Sequence, residues 1–208
     1  MSLPSRLLGA NPSIQVSTLL SGSLSTPSAK DSFFDNSYFS IASTRLTSSQ
    51  NSVVFSNIPQ IYTHLQVRIS GRSTGAFTYS GIYLNYNSDS TNLYSFSALY
   101  GDGSTAAASA RGLASDNTTV CQNIAGNNSI ALTSGAVIVD ILDYTNTNKF
   151  KTTRSLGGFS NNGLGSPKST TNVNASYYGS TNAITSITCT TDNDFNAYTQ
   201  ISLYGIKG

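Results

Sequence analysis

The chain has 208 residues and a net charge of +2, and only 10% of it is charged, against roughly 25% in an ordinary soluble domain. It carries one histidine, two cysteines, no tryptophan, and nine acidic residues that are all aspartate. So few groups able to hold protons, metals or nucleophiles weigh against an enzyme, and the absence of a Lys/Arg run weighs against a nucleic-acid partner.

Residues 1–35 read as an extended N-terminal arm. Pro4, Pro12 and Pro27 fall here among many serines, with one short strand expected over Ile14–Leu20. There is no long apolar core typical of a signal peptide. No apolar run approaches the ~20 residues of a membrane helix, so no membrane partner is expected.

From residue 36 the period is two. Tyr38–Leu46 and Ser52–Asn57 are strand candidates. Ile61–Ser70 alternates most cleanly, with Ile61, Thr63, Leu65, Val67 and Ile69 on one face and Tyr62, His64, Gln66 and Arg68 on the other. Such alternation predicts a strand with one face in the core. Gly81–Tyr86 and Leu93–Tyr100 follow on either side of a turn-rich Asn87–Asn92 segment. Residues 101–117 read as a loop. Thr118–Ile124, Ser129–Thr133, Ala136–Tyr144 and Phe150–Ser155 read as strands, the last two paired through the polar turn Tyr144–Lys149. Residues 156–174 read as a Gly/Asn/Ser loop. Ala183–Thr191 and Thr199–Lys207 close the chain, the final strand being expected inside a sheet rather than frayed.

About eight to ten short strands without a helical period predict an all-β fold. The specific expectation is a jelly-roll-like β-sandwich over residues 36–208, carrying the N-terminal arm.

The candidate chemical groups mostly resolve into structural roles. His64 lies on the polar face of its strand and reads as a surface or interface histidine bonded to a neighbouring strand. Asp140 and Asp143 are three apart, hence on opposite strand faces, and form no acid/base couple. If Asp140 faced the core it would need an arginine, for which Arg68, Arg72 and Arg154 are candidates. Asn87-Ser-Asp89 and Asp192-Asn-Asp194 resemble calcium spacing but lack a glutamate to complete a site, so turn chemistry explains them better. One histidine and two distant cysteines cannot complete a zinc tetrahedron. Cys121 and Cys189 read as buried thiols. No catalytic residue, metal or cofactor is therefore assigned. Tyr100, Tyr177, Tyr178 and Tyr198 lie in or beside polar loops, where tyrosine suits adaptable recognition or subunit contact. They are the candidate glycan or interface contacts.

Phe55-Ser-Asn-Ile-Pro-Gln-Ile-Tyr-Thr-His-Leu-Gln-Val-Arg-Ile69 and Asn87-Ser-Asp89-Ser-Thr-Asn-Leu-Tyr94 together resemble a signature of structural proteins from marine tailed phages, including cyanophages. Val139-Asp-Ile-Leu-Asp-Tyr144, Lys151-Thr-Thr-Arg154, Ile201-Ser-Leu-Tyr-Gly-Ile-Lys207 and the opening Ser5-Arg-Leu-Leu-Gly9 are similar to the same proteins. The resemblance implies a virion protein assembled in the host cytoplasm. It implies a capsid decoration (cement) protein, or a head- or tail-fibre component that binds a host receptor or glycan. The partners expected are the major capsid protein or tail proteins of the same virion, with a homotrimer as the preferred assembly.

Overall fold

The structure, a computed structural model, describes residues 38–162 and 169–207. The chain divides into two units, Met1–Ser37 and Tyr38–Gly208. The arm expected over residues 1–35, with its strand at 14–20, lies outside the described residues.

Twelve strands form in the second unit. They are β1 (Tyr38–Arg45), β2 (Gln50–Phe55), β3 (His64–Gly71), β4 (Tyr79–Tyr86), β5 (Tyr94–Gly101) and β6 (Ala106–Ser115), followed by β7 (Thr118–Ala125), β8 (Gly135–Leu142), β9 (Lys151–Ser160), β10 (Ser169–Tyr178), β11 (Ile187–Phe195) and β12 (Gln200–Ile206). β6, the end of β9 from Leu156 and the first part of β10, through Asn174, occupy segments that read as loops. The expected strand at Ser129–Thr133 is instead a run of turns.

One sheet has eight strands in the order β1-β12-β3-β8-β9-β10-β5-β6, and the other has four in the order β2-β11-β4-β7. If the hairpins β5–β6 and β9–β10 are set aside, β1-β12-β3-β8 faces β2-β11-β4-β7. That is the strand order of a jelly roll, two Greek keys wrapped into a sandwich. The fold is thus an all-β jelly roll whose first sheet is widened by two hairpins. The last strand, β12, is held between β1 and β3, as a terminal strand tied into a sheet should be.

The alternating residues explain the core. Leu65, Val67 and Ile69 of β3, Val137, Val139 and Ile141 of β8, and Ile201 and Leu203 of β12 point inward. They meet Val53 and Phe55 of β2, Ile82, Leu84 and Tyr86 of β4, and Ile187 and Cys189 of β11. Each such apolar side chain contributes roughly 1.5–3 kcal/mol when fully buried. Ile61, expected on the same face, is 71% exposed because β3 begins only at His64.

Under the inserted hairpins the interior changes character. Between Lys151 and Phe159 of β9 and before Tyr178 of β10, the inward side chains are Thr153, Ser155, Thr170, Asn172, Asn174 and Ser176, all buried. Ser155, Thr170, Asn174 and Ser176 serve β7, the last strand of the small sheet, whose outer edge has no strand partner among the described residues. Ser155 Oγ donates to the Val120 carbonyl. Thr170 Oγ1 donates to Asn123 O at 3.2 Å, while Asn174 Nδ2 and Ser176 Oγ donate to Thr119 O at 3.3 and 3.1 Å. Side chains replace the missing strand, so carbonyls that would otherwise be buried without donors are satisfied.

Two buried cations perform a similar task for loops. Arg72 Nη1 donates to Ile130 O at 2.6 Å and Thr133 O at 3.2 Å, and Nη2 donates to Asn127 O at 2.8 Å and Ser129 O at 2.9 Å. This clamp holds residues 127–133 as turns. Lys151 is fully buried, and its Nζ donates to the carbonyls of Asn146, Lys149 and Thr181. Burial lowers the pKa of both cations.

Cys121 and Cys189 are both free and buried. Both flank β4, pairing across it with Ile82 and Leu84 respectively. Two strand spacings, roughly 9.5 Å, separate them, which is too far for a bridge. Burial pushes both thiols up to about 12.

Candidate functional site

The β5–β6 hairpin extends the large sheet past β7, so beyond the buried Tyr94 and Ala98 its inward side chains have no small-sheet strand opposite them among the described residues. A groove of about 1140 Å³ opens between this overhang and the outer face of β4 and β11. Phe96, Tyr100, Ser109 and Arg111 line the overhang wall. Tyr79, Tyr83, Asp192 and Asn193 line the other, with Phe77 and Asn128 from neighbouring loops.

Asp192 is already engaged. It accepts hydrogen bonds from the Gly81 N–H at 2.6 Å and from the Tyr83 hydroxyl. Gly81 allows this, since a Cβ there would overlap the Tyr83 ring. Burial, then the Asp192 bond, raises the Tyr83 pKa, so its proton stays in place to donate. Arg111 is less engaged. Its guanidinium lies 5.3 Å from the centre of the Phe96 ring, Nη2 reaches Asn117 O only at 3.4 Å, and the buried Nε has no hydrogen-bond partner.

The tyrosines singled out in the sequence are not brought together. Tyr100 lines the groove. Tyr177 projects from the other face of β10 and meets Phe150 edge-on, with ring centres 5.4 Å apart. Tyr198, with φ 70°, is 73% exposed beneath the Arg45 guanidinium. Tyr178 corrects the expectation of a surface contact. It is only 2% exposed, stacks on Tyr94 at 4.6 Å between ring centres, and donates its hydroxyl to Asp89 at 2.7 Å. As the last residue of β10 it faces inward, so its ring is consumed by core packing.

The remaining sequence candidates take structural positions. His64 Nδ1 accepts the Asp143 N–H at 2.9 Å, the neighbouring-strand bond expected of it. Asp140 faces outward and not into the core. It accepts from Gln66 at 2.8 Å and pairs with Arg154 at 3.0 Å. Asp89 accepts the Thr91 N–H two residues on, a turn-closing bond. Among the described residues, no group of three or more His, Cys, Asp or Glu side chains could hold a metal ion.

A second surface lies on the outer face of the large sheet. Ile138, Leu156, Val173 and Leu99 are direct cross-strand neighbours on β8, β9, β10 and β5. They are 44%, 55%, 53% and 59% exposed. Three strand spacings make this apolar ladder about 14 Å long. On one side it is bordered by the uncharged row Ala136, Gly158, Thr171 and Gly101. At the β8 end it meets Arg68, whose guanidinium lies over the rings of Tyr38 and Tyr204. Sequence reasoning misses this surface because β10 reads as a loop, which hides the alignment of Val173 with its neighbours.

No protein-family model matches the chain, and no curated protein or solved structure matches it.

Proposed function

We propose that the protein is a non-enzymatic structural component of a tailed-phage virion, a decoration (cement) protein that stabilises the particle through contacts between subunits. The observation that carries this reading is the exposed apolar ladder Ile138–Leu156–Val173–Leu99, bordered by an uncharged row on one side and by the Asp140–Arg154 pair on the other. A flat apolar strip flanked by small residues suits burial against a neighbouring protein and is costly to leave in water. The jelly roll is a recurrent architecture of viral capsid proteins, and the phage-like sequence blocks agree with that setting. The occupant of the ladder is a subunit of the same virion, the major capsid protein or a tail protein, and the protein acts as a homotrimer.

The test is a variant carrying Leu99→Asp and Leu156→Asp. Both side chains face solvent and are separated by the intervening strand β10, so the isolated protein keeps its fold and thermal midpoint. Particles assembled with it should lose the protein on purification and break at lower heat or osmotic stress. Full occupancy of the variant on purified particles would remove the ladder from the contact. Particles that keep their stability but lose host adsorption would replace decoration with a fibre role.

A further inference from the structure

The groove beside the β5–β6 hairpin lies on the inner face of the overhang, whereas the ladder lies on its outer face. A ligand in the groove is therefore compatible with any position of the protein on a particle.

The groove's chemistry narrows its ligand. Phe77 and Tyr79 are 60% and 47% exposed, and Tyr100 stands on the facing wall. Rings on both sides, exposed on one wall and half-buried on the other, offer flat apolar faces to a ligand with alternating C–H and hydroxyl surfaces. Gln122, Asn123, Asn128 and Asn193 add amides that both donate and accept. A lipid would need a mostly apolar lining. A nucleotide phosphate would need several cations, whereas Arg111 alone is cationic among the lining residues. Sugar rings fit: they stack on aromatic side chains and exchange hydrogen bonds with amides. At about 1140 Å³ the space exceeds the usual 300–1,000 Å³ small-ligand range, which suits an oligosaccharide over a single sugar.

The charge pattern narrows it further. Among the described residues, the ion pairs involve the carboxylates of Asp140 and Asp143, so Arg111 has no acidic partner. The nearby Asp192 has its two oxygens occupied by Gly81 N–H and Tyr83 O–H. The unpartnered Nε of Arg111 is a buried donor, and an unmet donor of this kind is unfavourable until a ligand supplies the acceptor. A carboxylate is the acceptor whose shape fits a guanidinium fork.

We propose that this groove binds an acidic oligosaccharide, its rings against Phe77, Tyr79 and Tyr100 and a sugar carboxylate on Arg111. The test is the purified full-length protein on an array of acidic glycans (uronic- and sialic-acid oligomers) and their neutral or carboxyl-reduced counterparts. Selective retention of acidic glycans is expected. Arg111→Gln should weaken that binding about tenfold and abolish the preference over the reduced counterpart, while Tyr100→Ala weakens both. Circular dichroism checks the fold of each variant. Should either variant fail to fold, amide NMR shifts of the wild-type protein with the retained glycan supply the same answer, and they should cluster at Phe96, Arg111 and Gln122. Retention of no acidic glycan, equal retention of neutral ones, or shifts clustered elsewhere would overturn the proposal. None of these outcomes touches the ladder, so the decoration reading stands or falls separately.

Discussion

Replacing Arg72 with methionine tests the most concentrated polar arrangement in the fold. The apolar stem of the side chain is kept, and four hydrogen bonds from the guanidinium to the carbonyls of Asn127, Ser129, Ile130 and Thr133 are lost. A hydrogen bond to a charged group is worth about 1.5–3 kcal/mol net, and a carbonyl left buried without a donor costs about 1–3 kcal/mol. The four do not sum, because Asn127 is exposed and water can reach its carbonyl, whereas Ser129 is buried. Relief from burying a charge offsets a further part. The net expectation is a loss of about 2–4 kcal/mol. With a urea slope of about 2 kcal/mol per molar, the midpoint should fall by about 1–2 M. Arg72→Lys should recover only part of this, since an ammonium has three donors on one atom and cannot span four carbonyls as a planar fork does. Arg154→Met is the control, because that side chain is 71% exposed and its partner is a single carboxylate. If Arg72→Met moves the midpoint no further than this control, the clamp does not hold the loop and the reasoning fails.

The same structure predicts behaviour at high pH. Cys121, Cys189 and Tyr178 are held up to about 12 by burial, and Tyr86 and Tyr94 are also raised. The folded state therefore keeps protons that the unfolded chain releases from about 8.5 for thiols and about 10 for phenols. Stability should be full below about pH 8.5 and fall as pH rises toward 12. Lys151 runs the other way, but one amine is outweighed by two thiols and three phenols. Urea midpoints that stay constant from about pH 8 to about pH 11 would contradict this. Both cysteines should resist a thiol reagent in the native state and react once urea unfolds the chain; fast native labelling would show that they are not sealed. Gly158→Ala should cost about 1–3 kcal/mol, because φ is +154° and a Cβ would overlap the Thr170 carbonyl oxygen. An unchanged thermal midpoint would refute that close approach of β9 to β10. Tyr86→Phe should cost about 1 kcal/mol through loss of its 2.7 Å bond to Thr153, read as a shift in the urea midpoint.

The roll itself is legible in the sequence where water lies on one side of a strand and apolar core on the other. Leu65, Val67 and Ile69 alternate with His64, Gln66 and Arg68, and β3 is unmistakable. β10 inverts that rule. Before Tyr178 its inward residues are Thr170, Asn172, Asn174 and Ser176, and its apolar Val173 points out. Thr170, Asn174 and Ser176 belong inside there because they satisfy the edge of β7, a need visible only once the sheets are placed. β6 hides for a related reason, being largely alanine, serine and glycine, which carry little strand signal. Of the groove, the sequence singles out Tyr100 and Asp192-Asn-Asp194, the latter expected as turn chemistry but lying within β11, where Asp192 bonds to β4. Asp192 and Tyr83 meet from positions 109 residues apart, and no local pattern announces such a pair. Tyr178 is misjudged for the same reason as β10, since a tyrosine that ends an apparent loop reads as surface.

The sealing of β7 bears on how such a protein can change. The eight-stranded roll is complete in connectivity without the hairpins, so either hairpin looks like a removable part. The β9–β10 hairpin is not. Losing it would strip the donors from Val120, Thr119 and Asn123 carbonyls and leave a raw strand edge, an open template for pairing with another chain. The β5–β6 hairpin is anchored at its start, where the fully buried Tyr94 bonds through its hydroxyl to the Tyr86 backbone; beyond that point it can vary in length and sequence at small expense to folding. Diversification should therefore concentrate in the outer hairpin, where the groove is, while the inner one is retained as part of the roll.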